Sequence, residues 1–291
     1  MTRTISALSE ISGAYDALLV DLWGCVHDGL RAHPAAVAAL QAYRREGGTV
    51  CLLTNSPKPR TGVAEQIRGF GVPDDAWDTI ATSGDAARTA LFSGVVGHKV
   101  WFMGEPERDD GFFEPIRVVS DPVEIARVPL EEAEGIVCCG PFDAHADPAV
   151  NRPHFLAAKQ RGLKLLCANP DIVVDRGDTR EWCAGALARL YEEMGGESLY
   201  FGKPHPPIYD LARRRLDEIG RRPDPSRILA IGDGIATDVA GAMGEDIDSL
   251  FITGGLAREQ TRTAEQPDPD ALDAYLAEQD IAPTFAIGYL R

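Results

Sequence analysis

No stretch of this chain is apolar for long enough to cross a membrane, and its opening residues, M-T-R-T-I-S-A-L-S-E, lack the apolar core of a secretory signal. Both absences lead to the expectation of a cytoplasmic protein with no membrane partner. Positive charge is scarce, since 29 Lys and Arg stand against 45 Asp and Glu and leave a net charge of −16. A surface of that sign repels phosphate backbones, so nucleic acid is a poor partner. C-x-x-C pairs are missing as well. The six cysteines, Cys25, Cys51, Cys138, Cys139, Cys167 and Cys183, fall mostly inside apolar runs and read as buried reduced thiols. Cys138 and Cys139 would point to opposite faces of a strand, which argues against a bond between them. There is no internal repeat or low-complexity tract, and 291 residues of ordinary composition favour two domains.

What the chain does have is a set of short apolar runs that each end in a functional group. The stretch Y-D-A-L-L-V-D-L-W-G-C-V-H-D-G, residues 15–29, carries an apolar run from Ala17 to Val20 that stops at Asp21 and a Gly-containing turn. Such runs read as strands of a parallel sheet buried on both faces, and open α/β sheets place their chemistry at the carboxyl ends of those strands. A second run, Ile228–Ile231, stops at Gly232-Asp233, with Asp238 five residues further on. Three carboxylates in one crevice need a cation, and hard oxygen ligands suit Mg²⁺. Between these stretches, Thr49–Leu53 leads into Thr54-Asn55-Ser56-Pro57, whose hydroxyls and amide suit phosphoryl oxygens at the start of a helix. Leu199–Phe201 leads into Gly202-Lys203-Pro204, a fixed cation.

The remaining pattern is α/β throughout. Helices are predicted from Pro34 to the Gly47-Gly48 stop, over Val63–Phe70, from Ser83, over Arg152–Gly162 and Thr179–Gly195, from Pro206 to Gly220, and over Pro269–Gln279. Further strands are predicted at Val100–Met103, Gly135–Cys139, Leu163–Ala168, Ser249–Thr253 and Thr284–Tyr289. Residues 121–134 read as a short helix with an acidic loop. The run Arg213-Arg214-Arg215 reads as the solvated face of its helix.

Asp, then Thr/Ser, then Lys, then Gly-Asp-x-x-x-x-Asp, in that order, resembles the haloacid dehalogenase (HAD) superfamily. The text T-N-S-P-K-P at 54–59, A-N-P-D at 168–171, G-K-P-H-P-P-I-Y at 202–209 and G-D-G-I-A-T-D-V-A-G-A at 232–242 is similar to its class IIA, the NagD-type and p-nitrophenyl-phosphatase-like proteins. The resemblance implies a Rossmann-like parallel-sheet core with an inserted α/β cap domain of the C2 type. Residues 1–81 and 199–291 would form the core and 82–198 the cap. It implies a Mg²⁺-dependent hydrolase of a small phosphorylated metabolite, a sugar phosphate or nucleotide, and, by analogy with other caps of the class, a homodimer. Asp21 would be the nucleophile, with Thr54 and Lys203 as its catalytic partners. Asn55, Ser56, Asn169 and Asp171 would contact substrate beside Thr54 and Lys203. Asp21, Asp233 and the backbone carbonyl of Trp23 would hold the metal, with Asp238 behind them.

Trp23 is also where the chain departs from the family. The usual D-x-D-G reads D-L-W-G here, so the carboxylate that protonates the leaving oxygen is missing. General acid–base help is worth about 10²–10⁴ in rate, roughly 3–5 kcal/mol of barrier. His27 and Asp28 are the nearest substitutes, or else they only shape the loop, and Trp23 either walls the site or stacks on a substrate ring. The alternative from another class is a phosphate- or metabolite-binding protein with weak turnover. A metal-free dehalogenase is a third reading, one that leaves Asp233 and Asp238 unexplained. Asp143-Ala-His145-Ala-Asp147 reads as a cap loop, His205 as a helix-start residue, and Asp175 and Arg176 carry little weight.

Overall fold

The structure is a computed structural model that describes residues 2–114, 119 and 121–291. The chain begins β1 (Arg3–Thr4), β2 (Ala17–Val20), α1 (Pro34–Arg45), β3 (Thr49–Thr54), α2 (Arg60–Gly69), β4 (Thr79–Thr82) and α3 (Ser83–Phe92). There follow β5 (Lys99–Met103), α4 (Pro106–Asp109), β6 (Ala126–Arg127), β7 (Gly135–Cys138), α5 (Arg152–Gln160), β8 (Lys164–Cys167), β9 (Val173–Arg176), β10 (Thr179–Trp182), α6 (Ala184–Glu193) and β11 (Glu197–Tyr200). It closes with α7 (Pro206–Glu218), β12 (Ile228–Gly232), α8 (Ala240–Gly244), β13 (Asp248–Ile252), α9 (Pro269–Gln279) and β14 (Phe285–Ile287).

One sheet has the order β1-β14-β13-β12-β2-β3-β4, parallel throughout. Its middle strands β2, β3 and β12 are buried along their whole length, as a parallel sheet covered on both faces requires. Alternation assigns the faces. Leu18, Val20, Val50 and Leu52 join Leu40 of α1 and Ile67 of α2, whereas Ala17, Leu19, Cys51 and Leu53 join Ile208 and Leu211 of α7. Each of these buried aliphatic side chains is worth about 1.5–3 kcal/mol. From β2 the chain builds outward through β3 and β4 on one side and returns through β12, β13 and β14 on the other. The strand order therefore reverses between β2 and β12, where Val20 lies opposite Ile231. The residue that follows each strand, Asp21 and Asp233, is delivered to that crevice.

A second parallel sheet, β11-β8-β7-β5-β6, forms the inserted cap, with α5 and α6 on one face and α3 on the other. Some expectations fail here. Leu199 and Tyr200 do not reopen the first sheet; they close the edge of the second, with Leu199 opposite Leu166. An apolar run shows that a strand is buried but not which sheet buries it. Thr179–Trp182 is strand rather than helix and pairs with Val173–Arg176 around a two-residue turn at Gly177, φ +58°. The Gly-Asp pair at 177–178 is a hairpin signal in the sequence. Within 121–134 the regular pieces are the strand Ala126–Arg127 and a 3₁₀ turn at Leu130–Glu132.

Arg215 is the other correction. It falls on the buried face of α7 with Ile208, Leu211 and Ala212, and its Nη2 donates to Asp85 Oδ2 at 3.1 Å. Asp85 also accepts from Arg88 Nη1 at 3.0 Å, and it joins α3 to α7 on the two sides of the core–cap crossing. Asp85→Ala leaves two buried guanidinium groups short of a carboxylate. It is expected to lower stability by about 3–5 kcal/mol in urea denaturation, and a loss below about 1 kcal/mol would show that the triad does not hold the crossing. All six cysteines are free and buried. Among the described residues no helix is long and apolar enough to cross a membrane.

Candidate active site

Asp21 is fixed by its backbone, which donates to the Ile231 carbonyl at 2.8 Å across the strand reversal. Its Oδ1 accepts from Lys203 Nζ at 2.5 Å, and the same ammonium donates to Asp238 Oδ1 at 2.7 Å. All three side chains are buried. Asp238 is turned inward by a single π-helical turn, Ile235–Val239, and its Oδ2 accepts the Gly234 N–H at 3.1 Å. Asp233 lies beside Asp21 and accepts the Leu256 N–H at 3.0 Å. Gly24, at φ +76°, and Gly255 crowd that carboxylate so closely that a Cβ on either would collide with it.

The electrostatics follow from burial. Desolvation raises the carboxyl of Asp21, with Lys203 opposing and Asp238 adding to it. Asp233 is also raised by burial, then by Asp21 and Asp238. Burial works against the charge on Lys203, but Asp21, Asp238 and Asp171 outweigh it and hold the ammonium well above its ordinary range. Four carboxylates, Asp21, Asp171, Asp233 and Asp238, thus face one cation. That deficit of positive charge, together with a donor set of hard oxygens, fits a divalent ion. Among the described residues the one group of His, Cys, Asp and Glu with metal-like spacing is Asp21, Cys25 and Asp233. Cys25 was missed by sequence reasoning. Burial first, then the carboxylates, push its thiol well above the usual range, so it sits beside Asp21 and Asp233 as a neutral group.

Asn55 is the joint between core and cap. Its Oδ1 accepts the Lys203 N–H at 2.7 Å, and its Nδ2 donates to the Lys203 carbonyl at 3.1 Å and to Asp171 Oδ1 at 2.8 Å. Asn169 Oδ1 in turn accepts the Asp171 N–H at 3.1 Å, so the A-N-P-D loop of the cap reaches the nucleophile's crevice. Thr54 is buried, and its hydroxyl accepts the Ser56 N–H at 3.2 Å. Asp21, Trp23, Asp171, Lys203, Asp233 and Asp238 share one cavity of about 340 Å³, the size of a small-metabolite site.

The residues near the missing carboxylate have other duties. Trp23 donates its indole N–H to the Asp175 carbonyl of the cap hairpin at 2.5 Å, and the Arg176 guanidinium lies 5.2 Å from its ring centre. It is a strut between core loop and cap. His27 is buried between Trp23 and Phe70 with ring distances of 5.2 and 5.0 Å, and its Nδ1 accepts the Gly29 N–H. Burial, aided by His33 and Arg176, pushes its pKa down to about 4, so at neutral pH it holds no acidic proton. Slight burial opposes the charge on Asp28, but the N–H groups of Arg31 and Leu30 hold its carboxyl below the usual range. Elsewhere, His205 stacks on Tyr200 with ring centres 4.8 Å apart, and Asp143 and Asp147 cap their own turns.

Residues 18–114 match the family model for haloacid dehalogenase-like hydrolases, and residues 200–278 match a second, HAD-hydrolase-like model. A solved hydrolase of the haloacid dehalogenase-like family from Brucella suis 1330 is 37% identical, with 99% of this chain and 100% of that chain covered and a TM-score of 0.85. The chain belongs to the haloacid dehalogenase-like hydrolases. Its α/β cap between the second and third motifs gives it a fold similar to that of a p-nitrophenyl phosphatase from Archaeoglobus fulgidus, at 21% identity and a TM-score of 0.67, covering 94% of this chain and 96% of that one. This HAD chain is also 22% identical over 260 residues to the 5′-nucleotidase YutF of Bacillus subtilis (strain 168), covering 88% of this chain and 93% of that protein. The fold of a glycerol phosphate phosphatase from Mycobacterium tuberculosis, solved with magnesium, is similar at 21% identity and a TM-score of 0.64, covering 95% of this chain and 75% of that one.

Proposed function

We propose that this HAD protein is a phosphoric monoester hydrolase that acts on a small phosphorylated metabolite with a divalent cation, Mg²⁺ in the first instance. The observation that carries this reading is the Asp21–Lys203–Asp238 chain with Asp233 beside it, at the strand reversal and under the cap. In this reading the Asp21 carboxylate attacks phosphorus. A P–O bond forms to Asp21, the P–O bond to the leaving group breaks, and the electron pair departs on the leaving oxygen. Water then attacks phosphorus of the aspartyl-phosphate: a P–O bond forms to the water oxygen, the P–O bond to Asp21 breaks with its electron pair returning to the carboxylate, and the water proton passes to solvent as inorganic phosphate leaves. Thr54 and the loop through Ser56 hold the phosphoryl oxygens. The side chain of Asn55 keeps Lys203 in place, and its backbone N–H is assigned to a phosphoryl oxygen. Lys203 and its partner Asp238 keep a fixed positive charge beside the reacting atoms. Asp21, Asp233 and the Trp23 carbonyl would hold the metal ion, which when bound neutralises charge on nucleophile and substrate. The magnesium-bound phosphatase and the nucleotidase among the relatives support the same class of activity.

The core is proposed to comprise the segments from β1 to β4 and from α7 to β14, and the cap the intervening chain from α3 to β11. The crossings lie at Thr82–Ser83 and after Tyr200. A second reading, a HAD protein that binds phosphorylated metabolites with weak turnover, is favoured by Trp23, whose indole proton is spent on the cap.

The test is phosphate release with Mg²⁺ from an aryl phosphate and from matched alkyl phosphates. An aryl leaving group needs little protonation, so kcat on the aryl ester is expected to exceed that on alkyl esters by about 10² or more. Equal rates would mean that another group supplies the proton. Asp171, whose carboxyl is raised by burial against the pull of Lys203 and Asn55, is then the residue to replace. No release from either ester would favour the binding protein.

A further inference from the structure

Beside the main cavity lies a narrower compartment of about 80 Å³ that shares Asp21 and Asp171 with it and is walled by Thr54, Lys58, Arg108 and Arg176. Its cations come from three separate segments: Lys58 from the loop after β3, Arg108 from α4 and Arg176 from β9. In a chain of net charge −16 these three cations stand among three lining carboxylates, Asp21, Asp171 and Glu181, so the compartment is balanced where the chain as a whole is strongly negative. Like charges repel, so side chains from three segments share one space only where negative charge offsets them. Arg176 bonds Glu181 at 2.9 Å, while Arg108 leans on Glu105 and Asp109 at 3.3 and 3.5 Å. Of the three carboxylates that line the compartment, Asp21 is engaged by Lys203, Asp171 by Asn55 and Glu181 by Arg176, and none of the three bonds Lys58 or Arg108. Lys58 is half-buried, and burial, with the repulsion of Arg108 and Arg176, holds its ammonium below the usual range. The space is far smaller than the roughly 300–1,000 Å³ of a whole-ligand site. It suits a carboxylate or phosphate, which guanidinium forks bind in two-point fashion, and has no room for a nucleobase.

We propose that this compartment is an anion subsite, and that the substrate is a phosphomonoester whose short tail ends in a second negative group received by Lys58, Arg108 and Arg176. The assignment rests on the phosphatase reading of Asp21, and it narrows the substrate class to compounds with two anionic ends.

Two substrate pairs differ in that second anion: 3-phosphoglycerate against glycerol 3-phosphate for a carboxylate, and fructose 1,6-bisphosphate against fructose 6-phosphate for a phosphate. With the Mg²⁺-loaded protein, the doubly anionic member of at least one pair is expected to show a kcat/KM at least tenfold higher, mostly through KM. The pair with the larger ratio identifies the group. In Lys58→Gln, and separately in Arg108→Gln, that ratio is expected to fall about tenfold, and in the parent it is expected to shrink at 0.5 M salt. A ratio below two in both pairs, or one untouched by both substitutions, overturns the subsite. An aryl phosphate run in the same preparation separates the two levels. Asp21-dependent aryl release with no anion preference sinks only the subsite, whereas no aryl release sinks the phosphatase reading and the subsite with it.

Discussion

Asp21→Asn is expected to abolish Mg²⁺-dependent phosphate release from an aryl ester, a loss of at least about 10⁴-fold of the kind seen when a covalent nucleophile is removed. The substitution keeps the volume and one oxygen of the side chain. It leaves the backbone bond to Ile231, and Lys203 retains Asp238 at 2.7 Å, so the fold should survive. A rapid acid quench of the parent protein during turnover should trap a phosphoryl group on the chain, and the variant should trap none. Release above about a tenth of the parent rate would show that Asp21 is not the attacking group. A protein that only binds phosphorylated metabolites would trap nothing in either form, which makes the quench the sharper of the two measurements.

The carboxylates were legible in the sequence because each follows a short apolar run, and in a buried parallel sheet such runs must end where the strands do. The fully buried strands Ala17–Val20 and Ile228–Gly232 bear that out, and their adjacency follows from strand order rather than from any local signal. Periodicity fails where burial is shared between sheets. Leu199 is as apolar as a core residue but pairs with Leu166 of the cap, and Thr179–Trp182 was absorbed into a helical pattern that starts only at Ala184. The fate of His27 was equally out of reach, because a neutral imidazole wedged between Trp23 and Phe70 is defined by its neighbours. Trp23 was read as a wall or a stacking platform for substrate. Its polar partner lies 152 positions away in a hairpin whose second strand the helical pattern over Thr179–Gly195 covers. Lys58 and Arg108 escaped notice, and Arg176 carried little weight, because convergence from three separate segments leaves no spacing to read.

The acidic crevice makes a second large effect expected, in stability rather than rate. Asp21 is pushed up to about 7 from an ordinary value of 3.8, first by burial, and Asp233 is raised in the same direction. Between about pH 4 and 7 the folded metal-free protein therefore holds protons that the unfolded chain has released, and its stability falls as pH rises through that window. Below the window the carboxyls are neutral in both states and the penalty is absent; above it the penalty is complete. A divalent ion binds the deprotonated carboxylates, so Mg²⁺ should raise the melting temperature at pH 8 and do little at pH 5. At one hundred times its Kd the ion adds about 2.7 kcal/mol, or several degrees for a chain of this size. Lys203 already serves Asp21 and Asp238, which leaves Asp233, beside Asp21, held by the Leu256 N–H and by no cation. Asp233→Asn should accordingly make the metal-free protein more stable than its parent at pH 8 and erase the response to Mg²⁺. An equal response at both pH values, or an undiminished one in the variant, would place the ion elsewhere and leave the three buried carboxylates to be balanced by protons alone.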